Sequence, residues 1–204
     1  MIHFQYIESP VGMMRAVATE DGLVRLDFVD DAGDDGWVKN ICLRLEVAAS
    51  DMVESSYHPS LRSIDNQLSE YFAGERTTFD VPLLPMGSSF ELRAWQYLTK
   101  IPYGQTRSYL QQAREVGDAN ASRAVGGANG RNPLSIVVPC HRVIASNGQM
   151  QGYGGGIERK KWLLRHEQMF APDGLPGLIK RPHAIESKNT TAAASQTMAA
   201  ASQR

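Results

Sequence analysis

The sequence predicts an α/β domain followed by a mostly helical domain, and three observations carry that reading. Apolar residues come in short strand-like runs over the first thirty positions. From Ser88 onward they recur every three or four residues between turn signals, as in helices. Charge divides near the same place: residues 1–82 hold 6 Lys/Arg against 15 Asp/Glu, whereas residues 83–170 hold 11 against 5. The boundary falls in "TTFDVPLLP", an extended link broken by Pro82 and Pro85, so domains of residues 1–85 and 86–170 are expected.

Composition bounds the function classes. A chain of 204 residues, 42% hydrophobic and 21% charged, is an ordinary soluble globular protein. No apolar run approaches the roughly 20 residues of a membrane-spanning helix. "MIHFQYIESP" lacks the basic and apolar regions of a signal peptide, so a cytoplasmic protein without membrane association is expected. The two cysteines, Cys42 and Cys140, are too few for a disulfide scaffold or a structural zinc site. No metal is expected. The basic balance of residues 83–170 suits either a solvated face or a polyanionic partner.

The elements follow in order. "MMRAVATEDGLVRLDFV" holds two apolar runs around Glu20-Asp21-Gly22, a hairpin signal. Residues 30–56 read as acidic and irregular, except that Ile41, Leu43, Leu45 and Val47 alternate, which favours a strand over a helix. Cys42 lies on the other parity and reads as a small half-buried residue without chemistry. "HPSLRSIDNQLSEYFAGE" is a helix: Leu61, Ile64, Leu68 and Phe72 share a face, with Pro59 near its start and Gly74 past its end.

Ser88 and Glu91 form a capping box ahead of Leu92, Trp95 and Leu98. "RSYLQQAREV", the turn "DAN" and "ASRAVGGANG" make two short helices in a helix-turn-helix pattern. Ala124, Gly126, Gly127 and Ala128 leave the second helix almost bare, at about 1 kcal/mol for each interior glycine. Such a surface admits a packed helix or a narrow DNA groove, and Arg123 projects from it. "YGGGIERKKWLLRHEQ" is a glycine-rich turn and a last helix. Lys160, Lys161 and Arg165 are expected on its solvent side, and Glu167 on the apolar face of Leu163 and Leu164, where it needs a partner. Residues 171–204 have almost no large apolar groups and are expected to be an unstructured tail.

Chemistry concentrates in "VVPCHRVIASNGQ", where Cys140, His141 and Arg142 interrupt an apolar run. A cysteine reacts as its thiolate, and an unperturbed thiol ionises only near pH ~8.5. Neighbouring side chains on an extended chain point to opposite faces. Cys140 and His141 therefore cooperate only if the backbone turns, as Pro139 permits, or if a water bridges them.

"RAVGGANGRNPLSIVVPCHRVIASNGQMQGYGGGIERKKWLLRHE" resembles the active-site region of the O6-alkylguanine-DNA alkyltransferases. The likeness extends back through "SSFELRAWQYLTKIPYGQTRSY" and, more loosely, over nearly all of residues 1–170 apart from 30–56. It implies a ribonuclease-H-like α/β domain, serving as scaffold, and a winged-helix-like domain with a DNA-binding helix-turn-helix. It also implies roles. Cys140 matches the acceptor thiol, His141 the base that acts through a water, and Glu167 the carboxylate that orients the histidine. Asn132 matches the residue fixing the active-site turn, and Tyr109 the tyrosine that turns out the nucleotide and protonates the leaving guanine. Arg123 matches the arginine that fills the gap in the base stack. Ala124, Gly126 and Ala128 would lie in the minor groove, with Arg131 among the basic residues near phosphates. Val143, Tyr153 and Gly154 match the pocket; some relatives have serine where this chain has Gly154.

The implied activity is irreversible transfer of an alkyl group from O6-alkylguanine in double-stranded DNA, with O4-alkylthymine the second candidate base. The protein would act once, as a monomer and with no cofactor. Two other readings compete: a damage-binding relative without transfer, in which another residue replaces the acceptor cysteine, and a Cys-His hydrolase, for which no oxyanion motif is visible.

Overall fold

The computed structural model describes residues 1–29 and 36–171. Strands β1 (Ile2–Ile7), β2 (Met14–Thr19) and β3 (Gly22–Phe28) form an antiparallel meander. Short β4 (Met52–Glu54) pairs parallel with β1, giving the sheet order β3-β2-β1-β4. Glu20 and Asp21 make the β2–β3 turn, and Gly22 follows at φ 150°; a Cβ there would sit 2.6 Å from the Pro82 carbonyl oxygen.

Two helices cover the sheet on opposite faces, as the side-chain alternation of its strands requires. Helix α2 (Pro59–Ala73) packs Leu61, Ile64, Leu68 and Tyr71 against Met14, Ala16 and Ala18. Helix α1 (Trp37–Leu45) packs Trp37 and Ile41 against Phe4, Val17 and Val24. Residues 37–45 are thus helical, not the expected strand. Leu43 is 67% exposed, so the alternation marks no buried face; the contact is made by Trp37 and Ile41, one helical turn apart. Arg15, fully buried, anchors α1 with its guanidinium 4.3 Å from the Trp37 ring and 2.7 Å from Asp27. Residues 30–35 and the expected tail beyond residue 171 lie outside the described residues.

The second half is α3 (Ser89–Leu98), β5 (Arg107–Ser108), α4 (Tyr109–Glu115), α5 (Ser122–Gly130), β6 (Val143–Ile144) and α6 (Ile157–Phe170), with β5 and β6 paired parallel. The α/β-plus-helical class is the one expected. Ser88 caps α3 and Ser108 caps α4, each in a capping box. Helices α4 and α5 are joined by residues 116–121 and locked by reciprocal amide hydrogen bonds between buried Gln112 and Asn129 (2.8 and 3.1 Å). The Trp95 indole N–H donates to the Ala128 carbonyl at 2.8 Å, tying α3 to α5.

One apolar core runs through both halves, from Met14 and Leu26 to Leu134, Val138 and Leu163. The outer edge of β3 does not stay open. Leu23 bonds to residues 82 and 84, and Leu26 accepts from Ser135 N–H (2.7 Å) and donates to the Pro133 carbonyl (2.8 Å). The strand edge thus fixes the segment that leads to Cys140.

Candidate active site

The approach to Cys140 is a pair of tight turns. The Val137 N–H donates to the Ser135 carbonyl at 2.8 Å around Ile136, whose φ is 70°. A β-branched residue in that region costs about 1–3 kcal/mol, offset here by complete burial of the isoleucine side chain. The Cys140 N–H then donates to the Val138 carbonyl at 2.8 Å around Pro139, whose φ of −82° suits the ring. Residues Cys140–Arg142 finish as one 3-10 turn. That turn answers the adjacency problem: Cys140 and His141 leave the backbone in directions an extended chain would not give them.

Asn132 secures the turn. Its Nδ2 donates to the Val138 carbonyl (2.7 Å) and stands 3.2 Å from Cys140 Sγ, while its Oδ1 accepts from Leu134 N–H (3.0 Å). Cys140 is 5% exposed and opens onto a cavity of about 360 Å³. Asn132, Ser135, Tyr153, Gly154 and Gly155 line it from the helical half, and Arg25 and Asp27 from β3. Burial pushes the Cys140 thiol up, against the opposing pull of the Asn132 hydrogen bond and the Lys160 charge. The resting group is a thiol, and something must take its proton.

His141 is fully buried behind it, with Nε2 2.8 Å from Glu167 Oε1. Burial pulls the imidazole below its usual range, against the attraction of Glu167, so it is neutral near pH 7. Burial pushes the Glu167 carboxyl up, but the charge and hydrogen bonds of His141 and Arg142 outweigh it and hold the group well below the carboxylate range. An ionised carboxylate can only accept, so Nε2 carries the proton and Nδ1 keeps its lone pair. That Nδ1 is buried with no hydrogen-bond partner among the described residues.

Glu167 is thoroughly held. Oε1 accepts from His141, from Arg142 Nη2 (2.9 Å) and from the Tyr71 hydroxyl (2.9 Å). Oε2 accepts from Arg142 Nε (2.8 Å) and Gly104 N–H (3.0 Å). Sequence reasoning placed Glu167 on the inner face but missed Tyr71, Gly104 and the part played by Arg142.

Lys160 corrects an expectation. It is fully buried rather than on the solvent side, and its Nζ donates to the carbonyls of Val143 (2.6 Å) and Gln151 (3.1 Å). Burial lowers its pKa from 10.5 to about 8, while the Cys140 charge opposes the shift. The Tyr109 ring lies 5.7 Å from Nζ, and the Tyr109 hydroxyl donates to the Gln151 (3.0 Å) and Gly152 (3.1 Å) carbonyls. Lys160 and Tyr109 thus latch the same loop.

The remaining residues divide. Arg123 and Ala124 are exposed on α5, and Gly126 is half-buried under the Tyr109 ring. Arg131 is 62% exposed and ion-paired to Glu91 at 2.6 Å. Ala128, expected in the groove, faces inward against α3 and is fully buried. Val143, expected in the pocket, is likewise buried and does not line the cavity; its carbonyl holds Lys160 instead. Among the described residues no cluster of three or more His, Cys, Asp or Glu could hold a metal ion, and no helix is long and apolar enough to cross a membrane.

An α/β half bonded along its strand edge to a helix-turn-helix half, with buried Cys140 and the buried His141–Glu167 pair beside a cavity lined by both, defines the class of fold and site to be compared with known proteins. Residues 2–85 match the ribonuclease-like domain of 6-O-methylguanine DNA methyltransferase, and residues 89–169 match its DNA-binding domain. The methylated-DNA–protein-cysteine methyltransferase of Mycolicibacterium paratuberculosis is 42% identical over 178 residues, covering 86% of this chain and 98% of that protein. The Mycobacterium tuberculosis O6-methylguanine methyltransferase structure is 39% identical with a TM-score of 0.72, over 85% of this chain and 96% of that one. The structure of the M. tuberculosis protein in complex with DNA gives 39% identity and a TM-score of 0.70, over 84% and 96%. The chain belongs to the 6-O-methylguanine DNA methyltransferase family.

Proposed function

We propose that this protein repairs O6-alkylguanine in duplex DNA by moving the alkyl group onto its own Cys140, once per molecule. Membership of the family supports the activity, and the single observation that carries the residue assignment is Cys140 at the cavity beside a buried His141 that is paired to Glu167 and keeps its Nδ1 without a partner among the described residues.

The lesion is buried in the base stack, so the nucleotide must be turned out, at a cost of a few kcal/mol. Helix α5 enters the minor groove on its bare face, and exposed Arg123 takes the place of the extruded base. One water between Cys140 Sγ and His141 Nδ1 carries the thiol proton to the imidazole. Glu167 stabilises the resulting imidazolium without taking its proton, because five donated hydrogen bonds make it a poor base.

The thiolate attacks the alkyl carbon in line. A carbon–sulfur bond forms, the carbon–oxygen bond breaks, and its electron pair passes to guanine. Tyr109 donates a proton to the purine, which lowers the barrier to leaving. The product is a thioether that no neighbouring group can displace, so the protein is consumed. The domain division at residue 85 and a cytoplasmic, monomeric protein belong to the same reading.

Intact-mass analysis tests it. After incubation with an oligonucleotide carrying one O6-methylguanine, one methyl group mapped to Cys140 supports transfer. Unmodified protein with bound DNA means damage binding only, and many turnovers mean hydrolysis.

A further inference from the structure

The α/β domain reads as scaffold, yet it supplies one of the donors to the Glu167 carboxylate. Tyr71 lies on α2, 96 residues before Glu167, and is fully buried. Its hydroxyl reaches Oε1 at 2.9 Å, the oxygen that also holds His141 Nε2 at 2.8 Å. Its carbonyl accepts from His166 Nε2 at 2.7 Å, so one residue grips two successive positions of α6. Phe72, Phe79, Tyr103 and His166 surround the ring and fix its direction. Burial, with the Glu167 charge beside it, keeps the phenol protonated far above the working pH, so it is a permanent donor.

We propose that Tyr71 is a positioning residue that sets the basicity of His141 through their shared oxygen, Glu167 Oε1. This rests on the reading of His141 as the base for Cys140. Each hydrogen bond to Oε1 withdraws charge from it. Without the phenol that oxygen pulls harder on the imidazole, and His141 binds a second proton at higher pH. A protonated imidazole takes nothing from the thiol.

The groups facing His141 are few. Glu167 and Lys160 come from α6, and Cys140 and Arg142 from its own turn. Tyr71 from α2 and Tyr103 from the loop before β5 act through Glu167. Burial, Arg142 and Lys160 all favour the neutral ring, and Glu167 favours the charged one. The hydroxyl of Tyr71 is therefore aimed at the interaction that opposes the rest.

Tyr71→Phe in the full chain tests this, because it removes only the hydroxyl. His141 ionisation is followed by NMR of the ¹⁵N-labelled imidazole, assigned with His141→Gln. Single-turnover transfer to Cys140 is followed over the same pH range. The expected result is a rise of about one pH unit in His141 ionisation, with about tenfold slower transfer on the acid limb and a plateau unchanged within about twofold. Ile64→Val trims the core side of the same helix two turns from Tyr71; it should lower the melting temperature and leave His141 unmoved.

An unmoved or lowered His141 ionisation in Tyr71→Phe overturns the proposal, as does an equal shift in Ile64→Val. So does a Tyr71→Phe protein without a cooperative melting transition, which would make the hydroxyl purely structural. If the wild-type protein gains no methyl group from DNA, the functional reading falls instead, and the NMR titration still decides the role of Tyr71.

Discussion

The side-chain amide of Asn132 lies 3.2 Å from the sulfur of Cys140 and 2.7 Å from the carbonyl of Val138. One nitrogen therefore both closes the turn and solvates the thiolate that forms at its end. Asn132→Ala should leave the buried Val138 carbonyl without that donor and cost about 1–3 kcal/mol of stability. It should also slow transfer at least about tenfold, since one charge-assisted hydrogen bond to the sulfur is worth roughly 1.5 kcal/mol or more. Thermal denaturation and single-turnover kinetics check the two effects separately. Full-rate transfer by a destabilised variant would refute the second.

Cys140→Ala should abolish transfer and leave affinity for duplex DNA within about twofold, because the residue is 5% exposed and lies off α5, the helix proposed to meet DNA. Fluorescence anisotropy with a labelled duplex measures this. A large loss of affinity would make the cysteine part of the DNA-binding framework.

Arg123→Ala should slow repair of duplex DNA by about tenfold or more and spare reaction with O6-methylguanine supplied as a free base, since only the duplex pays for unstacking. Equal losses on both substrates would exclude a role in filling the stack.

Lys160 makes stability depend on pH in a calculable direction. Its pKa falls from 10.5 to about 8 on folding, so between those values the unfolded chain binds more protons and stability rises with pH. That fall corresponds to on the order of 3 kcal/mol, present as a penalty near pH 7 and relieved toward pH 10.5. Lys160→Met should flatten this part of the profile when denaturant unfolding of the two proteins is compared. It should also raise the ionisation of Cys140, whose thiolate the ammonium favours. Parallel unfolding profiles would show that folding leaves the ionisation of the lysine unchanged.

How much of this was legible in the chain depends on what kind of signal each residue leaves. Helix α2 announced itself through Leu61, Ile64 and Leu68, Pro59 and Gly74, because packing and caps act within a few residues. Helix α1 did not: the period-two pattern at Leu43, Leu45 and Val47 lies on residues the fold leaves partly or largely exposed. The site was readable where chemistry is local, at Pro139, Cys140 and His141. Lys160 was readable too, since Lys160, Leu163, Leu164 and Glu167 share the spacing of one helix face; its charge argued, wrongly, for solvent. Tyr71 left no such trace. It meets Glu167 only through the packing of α2 against α6, which no local pattern encodes.

The backbone bonds between Leu26 and residues 133 and 135 set a limit on modularity. A lesion reader cut free of its first domain would carry two orphaned peptide groups at the base of its own reactive segment, and grafting it onto another scaffold would require a replacement edge strand in the same register. Swapping partners between relatives should therefore succeed or fail on that short seam, ahead of anything in the helices of the second half.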